Sequence, residues 1–114
     1  MSDQPHLDTE ALEELRDVME DEFNSLIETF ITDADKKLVA LKEAIDANDA
    51  SEVGKVSHSF KGSCSNIGAP LLSDLCRQAE DKGRNMDISG IQSLFDQIQA
   101  EYLQVKELLT KQLN

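Results

Sequence analysis

Histidine is a nucleophile near neutral pH, and this chain places one in the stretch KVSHSFKGSCSNIG, residues 55–68. Lys55 and Lys61 stand three residues before and after His58, Gly54 and Gly62 four before and after, and Ser65 seven beyond it. A phosphoryl group carried on the imidazole would bring close to two negative charges and need positive surroundings. Lys61, one helical turn along, can bring its ammonium to the phosphoryl oxygens, and Lys55 and Ser65 are further candidates for that role. Other chemistries fail on residue type. A di-iron bundle needs Glu-x-x-His pairs, yet the residue three before His58 is Lys55. Zinc needs further His or Cys ligands in register, but His6 lies near the N-terminus and Cys64 falls on the core side. There is no oriented triad with an oxyanion hole, no calcium loop and no Gly-rich phosphate loop.

The elements that must hold this histidine are helical. Asp8 or Thr9 can cap a short first helix carrying Leu12, Leu15, Val18 and Met19, after a flexible leader at residues 1–7. A longer helix is expected from about Glu20 to Asn48, with an apolar stripe from Phe23 through Ile45 in steps of three and four. The third, about Ala50 to Ile67, carries His58 and ends at Gly68. Pro70 suits the first turn of the fourth, whose apolar face runs Leu71, Leu72, Leu75, Cys76, Ala79 and which closes near Gly83. The last spans about Ile91 to Leu113. No alternating strand pattern competes. The expected fold is all-α, an antiparallel up-down four-helix bundle with a short additional N-terminal helix, forming one domain over residues 8–114.

Helical phase then sorts the third helix by face. At about 100° per residue, Val53, Val56, Phe60, Cys64 and Ile67 share the core side, and His58 lies about 180° from its centre. Glycine costs about 1 kcal/mol relative to alanine in a helix interior. Gly54 and Gly62 beside an exposed histidine read as clearance for another protein's backbone, although Gly54, close to the helix start, can equally serve to ease the turn.

The 114-residue chain carries a formal net charge of −12. That excludes polyanionic partners, nucleic acid and anionic membrane alike, as natural ligands. The N-terminus has no secretory pattern and no stretch reaches the ~20 apolar residues of a membrane span, so a cytoplasmic chain is expected. Cys64 and Cys76 lack disulfide or zinc spacing and read as small core residues.

His58-Ser59-Phe60-Lys61-Gly62-Ser63, then Ile67-Gly68-Ala69, then Leu72 and the segment LCRQAEDKGR with Leu75, Cys76 and Glu80, resemble the histidine-containing phosphotransfer (HPt) domain family across essentially the whole chain. The resemblance implies a free-standing, monomeric bacterial phosphocarrier in a two-component phosphorelay. His58 would accept a phosphoryl group from an aspartate in the receiver domain of a hybrid sensor kinase and pass it to a response-regulator receiver. Lys61 would stabilise the phosphate and Gly62 would admit the partner. Glu80, on the next helix, would either orient the imidazole by a hydrogen bond or be an exposed structural carboxylate. Such domains are not enzymes: they have no kinase activity, cofactor or metal of their own, and Mg²⁺ is expected from the receiver domain. The competing reading is a helical binding module that docks a signalling partner through the same face without chemistry.

Overall fold

Asp8 and Asp49 each accept a backbone N–H three residues on, from Ala11 and Glu52, both at 3.1 Å. These side-chain caps satisfy donors that a helix start leaves orphaned, and they fix where two of the helices begin. The computed structural model describes residues 5–113. Its helices are α1 (Thr9–Met19), α2 (Phe23–Asp46), α3 (Ala50–Ile67), α4 (Pro70–Arg84) and α5 (Ile91–Thr110), with a 3₁₀ turn at Glu20–Glu22. All described regular structure is helical. The second helix starts at Phe23, three residues later than the expected Glu20, because Glu20 turns the chain at φ 49° at the end of α1 and opens the 3₁₀ turn.

Helices α2 to α5 form a ring in which α3 packs on α2 and α4, and α5 packs on α2 and α4. The core between them holds Ile27, Leu41, Phe60, Leu72, Ile98, Tyr102 and Leu109, all buried. Tyr102 joins three helices: its hydroxyl donates to Asp35 Oδ1 at 2.7 Å, with the Ile31 carbonyl at 3.2 Å. Its ring meets those of Phe30 and Phe60 at centroid distances of 6.5 and 6.3 Å.

The short α1 closes one end. The Asp8 N–H donates to the Gly68 carbonyl at 2.7 Å, and the Arg16 guanidinium donates to Gln112 Oε1 at 2.7 Å while lying 4.5 Å from the Phe23 ring centroid. Val18, placed on the packed face by periodicity, is instead 82% exposed. Residues 1–4 of the expected leader lie outside the described residues, and residues 5–7 are attached to the domain. Leu7 is buried, and His6 Nδ1 sits 2.6 Å from Glu101 Oε2.

The contact that positions the site is between α3 and α4. A Cβ built on Gly83 would lie 2.6 Å from Gly54 Cα and 2.7 Å from the Ala50 carbonyl oxygen, so the two backbones touch where neither residue has a side chain. This corrects the expectation for Gly54. It is buried against the α4 backbone and is not on the free outer face of the helix. The physical reason is that α3 is covered on two sides, by α2 and by α4, so its buried arc is wider than the apolar stripe and takes in Gly54 and Ser57.

Gly83→Ala is therefore expected to destabilise the fold by about 1–3 kcal/mol, the usual scale of overpacking, because backbone atoms cannot yield as a side-chain tip would. Gly54→Ala is expected to be neutral or to stabilise by up to ~1 kcal/mol, since its Cβ would meet Gly83 and Arg84 backbone at an ordinary 3.5 Å. Urea denaturation of both variants checks the contrast, and equal effects would mean that the α3–α4 approach is not set by Gly83.

Candidate functional site

His58 leaves the outer side of α3 with 59% of its side chain exposed. Its Nδ1 lies 2.8 Å from Glu80 Oε2. Glu80 comes from α4 and is only 2% exposed, so a solvent-facing imidazole is anchored to a carboxylate inside the bundle. Two cations share that carboxylate: Lys61 Nζ is 2.7 Å from Oε1, off the axis of an ideal hydrogen bond, and Arg84 Nη2 is 2.7 Å from Oε2.

The charge state of Glu80 decides the chemistry of the ring. Burial alone pushes its carboxyl up, but the Lys61 and His58 contacts and the Arg84 charge outweigh burial and bring the group below the ordinary glutamate value. Glu80 is thus an acceptor-only carboxylate, and His58 Nδ1 must carry the proton between them. In the neutral imidazole the lone pair then resides on Nε2, at the far edge of the ring from Glu80. Geometry and charge together present one nucleophilic nitrogen outward.

Gly62 occupies the exposed side of α3 one turn beyond His58, and a Cβ there would meet nothing within 4 Å. No packing demand accounts for this glycine. Lys55 is exposed and lines a shallow groove with Gly54, His58, Arg84 and Met86. Ser65 is not brought to the histidine: two turns along α3, its hydroxyl pairs with Ser73 Oγ at 2.7 Å, and Ser73 in turn reaches the Lys61 carbonyl at 3.3 Å. Lys61 itself stands against Glu80 with its side chain 31% exposed. Arg84 escaped the sequence-based reading, although its position four residues after Glu80 is the spacing of a helical ion pair.

An imidazole held at one nitrogen and offered at the other, on a bundle of this topology, is the arrangement of a histidine phosphotransfer module. The chain belongs to the Hpt domain family, whose model matches residues 25–108. It is similar to histidine-containing phosphotransfer protein B (HptB) of Pseudomonas aeruginosa PAO1, known from a crystal structure. The two are 37% identical, superpose with a TM-score of 0.92, and the match covers 95% of this chain and 94% of that one. No curated protein matches the chain. Hpt domain proteins are phosphocarriers and not kinases, and no helix among the described residues is long and apolar enough to cross a membrane.

The lowered Glu80 carboxyl has a measurable sign. The unfolded chain binds more protons than the folded one in the acid window, so stability rises with pH there. The Glu80 contribution is complete above its unfolded value of about 4.3 and is lost as pH falls through the lower folded value. Glu80→Gln is expected to reduce the slope of denaturation midpoint against pH between roughly pH 3 and 5. An unchanged slope would mean that Glu80 gains no net stabilisation as a carboxylate.

Proposed function

We propose that this chain is a phosphorelay intermediate in which His58 Nε2 is the phosphoacceptor, loaded by the receiver domain of a hybrid sensor kinase and unloaded to that of a response regulator. The observation that carries this reading is the 2.8 Å contact of His58 Nδ1 with buried Glu80, which leaves Nε2 as the nitrogen with a lone pair.

In the transfer, the Nε2 lone pair forms a bond to phosphorus as the bond from phosphorus to the aspartyl oxygen breaks, and the aspartate leaves as a carboxylate. The positive charge that develops on the ring is balanced by Glu80 through the Nδ1–H, which stays in place. Lys61 is already beside the ring on Glu80 Oε1, and a short swing brings its ammonium to the phosphoryl oxygens, where charge-assisted hydrogen bonds are strongest. Arg84 remains on the other carboxylate oxygen, so Glu80 is not left unpaired while Lys61 is engaged. Passing the group on reverses these steps. Magnesium, in this reading, is the receiver's contribution, because this chain's own part is to aim the nitrogen and accommodate the charge. Gly62 supports the same reading, since its open surroundings leave room for the receiver to close over the histidine.

Incubation with a phosphorylated receiver domain is expected to give a label that is acid-labile and alkali-stable, and His58→Gln is expected to abolish it. Full labelling of that variant would overturn the assignment, and receiver binding without any label on the wild-type chain would favour a pure docking module. Gly62→Gln is expected to slow transfer while leaving the fold as stable or up to ~1 kcal/mol more so, as helix propensity dictates. A normal transfer rate in Gly62→Gln would remove the access role.

A further inference from the structure

Three helices end in the same turn, and one of them ends in it with the wrong kind of residue. After α2, the N–H groups of Asn48 and Asp49 donate to the carbonyls of Ile45 and Ala44; after α3, those of Gly68 and Ala69 donate to Ser65 and Cys64; after α4, those of Met86 and Asp87 donate to Gly83 and Lys82. This paired pattern requires left-handed backbone at the residue just past the helix, and φ is 53° at Asn48, 82° at Gly68 and 56° at Met86. Glycine and asparagine suit that conformation. Methionine does not, because its Cβ crowds the carbonyl.

Burial does not repay the strain. The Met86 side chain is 70% exposed. The other large exposed apolar residues, Val18, Val39 and Leu103, lie within helices and do not line the histidine groove, whereas Met86 lines it beside His58, Lys55 and Arg84. A strained residue at a functional site points to a use for its side chain, and an exposed thioether on a fixed turn is an adaptable apolar contact.

We infer that Met86 is a specificity-determining contact for the receiver domain, resting on the reading of His58 as phosphoacceptor. The groove presents Lys55 and Arg84 around the imidazole in a chain of net charge −12. It therefore fits a partner that aims carboxylates at the histidine and sets an apolar residue beside them. Met86 meets that apolar residue, and the hydrogen bonds of the turn hold it there before the partner arrives.

Met86→Gly tests this, because it relieves the backbone strain and removes only the side chain. The variant is expected to unfold at a higher urea concentration than the wild type, to take a phosphoryl group from a phosphorylated receiver domain about tenfold more slowly, the scale of losing one good interface contact, and to react at the wild-type rate with phosphoramidate, a small donor that needs no docking. Met86→Leu is expected to restore most of the receiver-dependent rate. Equal receiver-dependent rates for Met86→Gly and wild type, with His58→Gln unlabelled, would overturn this inference and leave the phosphoacceptor standing. An equal slowing with phosphoramidate would also overturn it, by placing the effect on His58 itself. A wild-type chain that takes no label from any receiver would overturn both.

Discussion

A carboxylate taken out of water must find positive charge or hydrogen-bond donors, and Glu80 finds them in three side chains at once. Two of these, His58 and Lys61, belong to α3, while Arg84 belongs to α4 like Glu80 itself. The result is an electrostatic pin between two helices. It fixes the rotation of α3 against α4, because only one setting brings both His58 and Lys61 to the same carboxylate. The imidazole on the outside of the bundle thereby takes its orientation from a charge on the inside. A surface histidine held only by its own helix would sample several rotamers and both tautomers.

The pin works only at short range, and the close approach of Gly83 to the α3 backbone supplies that range. Gly83 and Glu80 are three residues apart and lie on one face of α4. The same bare backbone that lets α4 settle on Gly54 therefore brings the carboxylate within 2.8 Å of His58 Nδ1. Small residues and a buried charge act together here: the first sets the distance, the second sets the angle. Ser57, three residues after Gly54 on α3, is likewise small and fully buried.

The sequence made the helices and the exposed setting of His58 legible because both follow from local rules. The bounds of α3 follow from the Asp49 cap and Gly68, and the exposure of His58 follows from its phase against Val53, Phe60 and Cys64. Gly62 was legible too, since a glycine on a free helix face has no packing reason. The second helix of the site was not. Whether Glu80 is buried, and whether Gly54 faces solvent or α4, depends on how two helices cross, and one helix's periodicity carries no record of its neighbour's position. Ser65 is a plainer case: it shares the outer half of α3 with His58, yet Ser73 of α4 takes its hydroxyl. His6 was likewise unreadable as an attachment, because its partner Glu101 is far along the chain.

Tyr102 has a practical consequence. The chain contains no tryptophan and a single tyrosine, so its intrinsic emission arises almost wholly from one ring. That ring is packed against Phe30 and Phe60, and its hydroxyl is bound to Asp35 at the crossing of α2, α3 and α5. Phe60 lies two residues from His58 on the same helix. The protein thus carries a built-in optical probe of the core behind the helix that presents His58, and it reports on that place without a label or a substitution.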